Sequence, residues 1–255
     1  MSSSVSDFEY TDAHLLGGRL LLRQPARGHR VGTDTMLLAA CIADPGDLIV
    51  DAGAGVGAVG LAVSYRAPGA QVRLVERQSE LVTLAGENIS ANGVSDRVRI
   101  LGCDLLSPAA RKGAGLSNGS ASAVFTNPPF YEQGAVRASP DDGRAQAHVL
   151  GEGGVGAWMR ACLALLAPGG RFAMIHLPQA LAPILEACEG RLGSVRVLPV
   201  HARAGEDAGR IIVTGRKGSR APLSFAPGFV VHEADGRFTA LADAVHRGEA
   251  LLAHE

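Results

Sequence analysis

Asn127-Pro128-Pro129-Phe130 is the segment of this chain best suited to act on a substrate. An asparagine side-chain oxygen and the carbonyl of the next residue can accept both N–H bonds of a planar amine or amide. The lone pair of such a nitrogen is delocalised and weakly nucleophilic. Two fixed acceptors polarise it and aim it at an incoming electrophile. The prolines stiffen the turn, so the acceptors are preorganised. An aromatic at the fourth position, Phe130, can stack on a flat target ring. No strong base is required, because the nitrogen becomes acidic as the new bond forms. The main contribution is alignment for in-line displacement. In isolation the same residues make only a turn. Their position gives them meaning: they follow an apolar strand and lie downstream of a glycine-rich loop.

That loop reads Asp51-Ala52-Gly53-Ala54-Gly55-Val56-Gly57-Ala58-Val59-Gly60. Glycines after a strand and before a helix let a ligand approach the backbone at the helix N-terminus. Two templates fit. D-x-G-x-G-x-G from Asp51 is the nucleotide loop of S-adenosylmethionine (SAM) methyltransferases. G-x-G-x-x-G, met by Gly55, Gly57 and Gly60, is the dinucleotide fingerprint. Glu76 serves either one, 21 residues after Gly55 and 25 after Asp51, as an acceptor for ribose hydroxyls. With no ligand the loop would be a tight strand–helix turn. Two features favour SAM. Asp51 directly precedes the loop, where a carboxylate can organise it and meet the ammonium end of an amino-acid cofactor. Asp104 follows the third strand, where it can accept a hydrogen bond from an adenine amino group. Taken alone, Asp104 is more commonly a cap or loop acid.

These residues need a scaffold, and the chain alternates strand and helix signals. Strands are expected at Asp47–Val50, Gln71–Glu76, Arg97–Leu101, Ser122–Thr126, Arg171–His176, Ser194–Val200 and Arg210–Thr214. Helices are expected at Gly57–Arg66, Gln78–Ala91, Val155–Leu166 and Pro178–Cys188. The alternation implies an α/β fold with a mostly parallel sheet covered on both faces. The last two strands have no helix-length apolar segment between them, so they pair as an antiparallel hairpin at one edge. Residues 1–46 form an N-terminal extension, in which Thr33–Ala43 looks helical with Thr33 or Asp34 near its N-cap. Residues 47–255 form the main domain. Residues 106–121 read as a surface loop, and residues 131–154 as a long loop of the kind that serves as a lid.

Composition narrows the class. A chain of 255 residues with 47% hydrophobic and 19% charged residues is globular. The N-terminus MSSSVSDFEY lacks a basic region and an apolar core, so no secretory signal is visible. No apolar run approaches a membrane span. Four scattered cysteines, Cys41, Cys103, Cys162 and Cys188, make no CxxC pair. A metal site is therefore not expected, and a reducing cytoplasm fits. The net charge of −1 gives no global sign of nucleic-acid binding, so any such surface is a local patch. Basic residues are 22 Arg and 2 Lys, a bias that GC-rich coding explains.

With Asp51–Gly57 and Asn127–Phe130 in place, the chain resembles the class I SAM methyltransferases with an Asn-Pro-Pro-Phe/Tyr motif. In detail it is similar to the bacterial tRNA adenine-N6 methyltransferases that modify the adenine beside the anticodon of a valine tRNA. The resemblance spans about Asp12 to Arg216. It rests also on Gly28-His29-Arg30-Val31-Gly32-Thr33-Asp34 and on Tyr131-Glu132-Gln133-Gly134. It implies a Rossmann-like, seven-stranded sheet whose last strand is antiparallel. It implies SAM held by Asp51, Gly53, Gly55, Gly57, Glu76 and Asp104, with Thr33 and Asp34 near its amino-acid end. Asn127 and Pro128 would hold the target amine, with Pro129 stiffening the turn and Phe130 stacking. Where many adenine methyltransferases carry Tyr this chain has Phe130, which keeps stacking and loses a hydroxyl contact.

For the substrate, RNA is the leading expectation. Arg19, Arg23, Arg27 and Arg30 lie in the N-terminal segment. Arg196, Arg203, Arg210, Arg216, Lys217 and Arg220 outnumber Glu206 and Asp207 later on, and Arg137 and Arg144 follow the motif. Arg30, Tyr131 and Arg137 are the candidate substrate contacts. Any single Arg is more ordinarily solvated surface, and a surface or capping role suits His29 and His148. Two alternatives stay open. One is methylation of a glutamine side-chain amide in a protein, which predicts a long helical substrate domain ahead of the first strand. The other is a SAM- or NAD-binding module or dehydrogenase, which would leave Asn127–Phe130 without a chemical role. Oligomeric state is not legible.

Overall fold

A computed structural model describes residues 9–26, 31–128 and 153–252. Its central sheet contains β3 (Leu48–Ala52), β4 (Gln71–Glu76), β5 (Val98–Gly102), β6 (Ala121–Thr126), β7 (Leu166–His176), β8 (Leu192–Arg203) and β9 (Ala208–Lys217), preceded in the chain by β1 (Tyr10–Leu15) and β2 (Leu20–Pro25). The spatial order is β5-β4-β3-β6-β7-β9-β8. The first five of these run parallel, and β9 is antiparallel to both its neighbours. The fold is a Rossmann-like α/β architecture. Register levels the strand ends: Ala52 lies beside Thr126 and Val75, and Glu76 beside Gly102. One carboxyl edge therefore carries the ends of β3, β4, β5 and β6.

The β8–β9 hairpin sits at one side of the sheet, with β9 as its inner strand. Ile211, Ile212 and Val213 are buried, the continuous apolar run an inner strand needs. β8 carries Ser194, Arg196 and Pro199 and lies outside. Two further short strands, β10 (Ser224–Phe225) and β11 (Phe229–His232), pair parallel with β8. Their ladder breaks opposite Leu198 and Pro199, where Pro199 offers no N–H.

Helices α1 (Thr33–Ala39), α2 (Ala58–Arg66) and α3 (Ser79–Ala91) line one face with Leu37, Leu38, Leu61 and Ile89, against Ile49, Leu74 and Phe125. Helices α4 (Pro108–Gly113), α5 (Gly154–Leu165) and α6 (Leu181–Cys188) line the other with Met159, Cys162 and Ile184, against Val50, Val124 and Phe172. A last helix, α7 (Ala240–His246), contacts α1 and β11.

Four departures from the sequence reading stand out. Residues 106–121 are not simply a loop: Ser107 accepts from the Ala110 amide, Pro108 occupies the first turn and α4 follows. Arg111 on that helix is buried and donates to the Leu105 carbonyl. Helix α1 stops at Ala39, short of Ala43, and Gly32 is its N-cap. Strand β7 starts at Leu166, five residues earlier than Arg171, through a register shift against β6. Finally, β1 and β2 form an antiparallel hairpin that periodicity did not show. Side chains rather than a strand hold its edge. Asn88 accepts from Arg23 N at 2.8 Å and donates to Arg23 O at 2.9 Å; Asn92 accepts from Leu21 N at 3.0 Å and donates to Leu21 O at 2.7 Å.

Candidate active site

The glycine loop leaves β3 under tight constraint. Gly53 and Ala54 both donate to the Val75 carbonyl at 2.9 Å, and Gly57 donates to Ala54 at 2.8 Å. Gly53, Gly55 and Gly57 have φ of +72°, +56° and +90°, the left-handed region that favours glycine. Their reasons differ. A Cβ on Gly53 would meet the Trp158 ring at 2.9 Å, and one on Gly57 would meet Leu74 at 2.8 Å. A Cβ on Gly55 would meet nothing within 4 Å. The loop is packed from beneath at its ends and open at its middle.

Two carboxylates brace it. Asp51 is 2% exposed, and its Oδ2 accepts from Gly60 N at 2.8 Å, tying the end of β3 to the first turn of α2. Burial pushes the Asp51 carboxyl up to about 7, against the pull of the Gly60 bond and with a further push from Glu76. Glu76 Oε2 accepts from Gly55 N at 3.0 Å, and Oε1 accepts from Arg77 N at 2.8 Å and Gln78 N at 2.9 Å. A carboxylate has about four lone-pair positions. Three are taken, which leaves capacity beside Gly55. Asp104 is joined to this corner through the donation of Cys103 N to Glu76 O at 2.9 Å. Its Oδ1 accepts from Leu106 N at 2.9 Å and shapes the turn into α4.

The turn that begins at Asn127 is anchored from two sides. Thr126 is fully buried; its hydroxyl donates to Ala52 O at 2.8 Å and accepts from Trp158 Nε1 at 2.9 Å. The end of β6 is thus locked to the end of β3, and the indole that does so also packs on Gly53. Asn127 follows directly. Its Oδ1 is buried and has no hydrogen-bond partner among the described residues. An orphaned buried acceptor costs about 1–3 kcal/mol, and it persists where a ligand supplies the donor. Pro128 is buried beside it. Pro129, Phe130, Tyr131, Arg137 and Arg30 lie outside the described residues, as do Arg27, His29, Arg144, His148 and residues 131–152 of the loop expected at 131–154, whose last residue, Gly154, already belongs to α5.

Residues 28–143 match the model of the family described as the methyltransferase small domain. The tRNA1(Val) (adenine(37)-N6)-methyltransferase of Porphyromonas gingivalis is 30% identical over 218 residues, covering 82% of this chain and 84% of that protein. This chain belongs to the class I SAM-dependent methyltransferases. The release factor glutamine methyltransferase of Moorella thermoacetica is 30% identical over 163 residues, 60% of this chain and 55% of that protein. Among solved structures, a predicted O-methyltransferase of Agrobacterium tumefaciens superposes with a TM-score of 0.73 at 34% identity, covering 87% of this chain and 99% of that one. These findings support a SAM-dependent N-methyltransferase.

The methyltransferase's own residues fit SAM. The open face of Gly55 and the spare acceptor position on Glu76 form one cradle at the carboxyl edge, and Asp51 lies buried beneath the loop, tied to Gly60 N. When bound, SAM supplies an electrophilic methyl group. Among the described residues no group of three or more His, Cys, Asp or Glu side chains could hold a metal ion, and no helix is long and apolar enough to cross a membrane.

Thr33 and Asp34 start α1 and already have protein partners. Thr33 Oγ1 lies 3.3 Å from His246 Nε2 on α7. Asp34 Oδ2 accepts from Arg210 Nε at 2.9 Å, a half-buried ion pair. Arg210 enters β9 one residue before Ile211, which pairs with His176 at the end of β7, so α1 begins at the same carboxyl edge as Asn127. His176 itself escaped the sequence reading. It is 5% exposed, its Nδ1 accepts from Leu177 N at 2.8 Å, and burial holds its pKa down to about 4, with Arg210 adding to that. It is a neutral imidazole at physiological pH. Trp158 also escaped, although it is the chain's single tryptophan.

Most described basic residues considered for RNA are engaged within the protein. Arg203 pairs with Glu206 at 3.6 Å and Arg210 with Asp34. Arg216 donates to Gly169 O, and Lys217 donates to Leu163 O and Leu166 O, closing the end of α5. Arg23 pairs with Asp12 and Glu87, and Arg19 donates to Leu16 O and Arg247 O.

Proposed function

We propose that this protein transfers the methyl group of SAM to the N6 amino group of an adenine in tRNA, in the cytoplasm. The observation that carries the reading is the buried, unpartnered Oδ1 of Asn127 at the end of β6, beside the glycine loop. Adenine's exocyclic amine has two N–H bonds. Asn127 Oδ1 accepts one and the Pro128 carbonyl accepts the other. Both acceptors draw electron density onto the nitrogen and turn its lone pair toward the cofactor corner formed by Asp51, Gly53, Gly55, Gly57, Glu76 and Asp104. Phe130 stacks on the base, and Arg30, Tyr131 and Arg137 contact the RNA. As the C–N bond forms, the methyl–sulfur bond of the cofactor would break with its electron pair left on sulfur, and the nitrogen would release its proton to water. Residues 1–46 act as an extension that completes the site through Thr33 and Asp34, and residues 47–255 form the catalytic domain. The similarity to the Porphyromonas gingivalis enzyme supports the RNA substrate.

The test is methyl transfer from labelled SAM to bacterial tRNA, followed by digestion to nucleosides and mass identification. N6-methyladenosine is the expected product. A second reading, methylation of a glutamine side-chain amide in a protein, is favoured by the similarity to the Moorella thermoacetica enzyme, since the same two acceptors fit an amide. Label in a release factor and none in tRNA would replace the first reading with the second.

A further inference from the structure

The late-strand basic residues are largely engaged, Arg196 and Arg220 excepted, and a further pair of available guanidinium groups lies elsewhere. Arg73 on β4 and Arg99 on β5 are direct neighbours in the parallel ladder, so both leave the same face of the sheet. β5 is the edge strand. Arg99 is exposed, and its guanidinium has no ion pair or hydrogen bond among the described residues. Arg73 Nη1 reaches only the Val72 carbonyl at 3.1 Å and Gln71 Oε1 at 3.5 Å. Burial and then the charge of Arg99 hold the Arg73 guanidinium below its usual range. Among the described residues Arg97, two residues before Arg99 and aligned with the same face, pairs only with Asp96, which is 73% exposed.

Like charges set opposite one another on a sheet destabilise it. Nothing among the described residues neutralises this pair, and an anion would. We propose that Arg73 and Arg99, flanked by Arg97, bind the phosphodiester backbone of the RNA substrate. This rests on the RNA reading above. Arg73 precedes Glu76 by three residues, about 10 Å along the strand. At a duplex-like rise of about 3.4 Å per nucleotide a nucleic-acid strand covers that distance in about three nucleotides, so one bound arm reaches both the patch and the carboxyl edge. The patch contributes affinity and register rather than base identity.

The test compares the full-length wild type with Arg73→Gln, Arg99→Gln, the double variant and an Arg237→Gln control, which alters an exposed arginine paired with Asp235. Readouts are tRNA binding by fluorescence anisotropy across a salt series, SAM binding by calorimetry, and thermal unfolding. The double variant is expected to bind tRNA ~10-fold or more weakly, with a log–log salt slope shallower by about 1–2. Its SAM affinity stays unchanged, and its melting temperature is no lower than wild type because the repulsion is relieved. An unchanged affinity and slope overturn the proposal. So does an equal loss in Arg237→Gln, or a wild type that does not bind tRNA. Patch-dependent tRNA binding without N6-methyladenosine formation would sink the adenine-N6 reading and leave the patch standing.

Discussion

The side-chain amide of Asn88 on α3 donates to the carbonyl of Val56, between two glycines of the cofactor loop, at 3.0 Å. The same Nδ2 donates to Arg23 O and the same residue's Oδ1 accepts from Arg23 N. One buried side chain therefore ties the N-terminal hairpin to the cofactor loop. Asn88→Ala removes three hydrogen bonds and orphans their partners, at a cost of about 2–4 kcal/mol. Urea unfolding measures that cost. SAM affinity of the folded variant is expected to fall as well; an unchanged dissociation constant would show that the hairpin and loop are mechanically independent.

Asp51 makes a pH prediction. Its carboxyl is raised to about 7 in the folded protein, above the unfolded value of 3.8. The folded state therefore binds the extra proton, and this group's contribution to stability is full below about pH 4 and lost as pH rises to about 7. Asp51→Asn keeps an acceptor for Gly60 N and removes the titration. The variant should have a flatter stability profile between those limits, and at pH 8 should be more stable by roughly 2–4 kcal/mol. If Asp51 meets the cofactor ammonium, SAM binds the wild type more tightly at pH 8 than at pH 6. Asp51→Asn loses that difference, and a retained difference would remove Asp51 from cofactor recognition.

Asn127→Ala should cut turnover by ~100-fold or more, as expected for loss of a positioned acceptor. SAM affinity should hold, and stability should not fall on account of Oδ1, which has no hydrogen-bond partner to lose among the described residues. Turnover within a few fold of wild type would exclude Asn127 from the transfer step.

Glu76→Ala should chiefly weaken SAM binding, by ~10-fold or more, because it removes the acceptor beside Gly55 and unties Gly55, Arg77 and Gln78 at about 1 kcal/mol each. Calorimetry with SAM decides; full affinity would contradict a place for Glu76 at the ribose.

Trp158→Phe keeps most of the ring against Gly53 and deletes the donor to Thr126. A loss of about 1 kcal/mol is expected for the missing bond, since the hydroxyl keeps its donation to Ala52 O. kcat should drop more than KM for SAM rises, since the indole anchors the strand end that carries Asn127. A rise in KM alone would assign Trp158 to the cofactor loop instead.

Local chemistry made much of this protein legible from its residues. Alternating periodicity marked the strands of the central sheet, and the glycine spacing marked the tight left-handed turn after β3. Asn127-Pro128-Pro129-Phe130 suggested, through short-range donor and acceptor logic, the nitrogen-directed role proposed above. Ser107-Pro108 also announced a helix, in a stretch whose small, polar composition hid it. Other features depended on partners distant in the chain. Asp34 looked available until β9 brought Arg210 to it across 176 residues. Asn88 looks like an ordinary helix residue and Asn92 like a helix end until the hairpin arrives at their side chains. Thr126 and Trp158 meet because α5 packs over the ends of β3 and β6. The surplus of arginines in the late strands was visible, but their engagement by carbonyls and carboxylates was not. Backbone propensity and residue type act over a few positions and can be read along the chain. Burial, hydrogen-bond satisfaction and the pairing of charges are properties of neighbours in space, and only the folded sheet decides them.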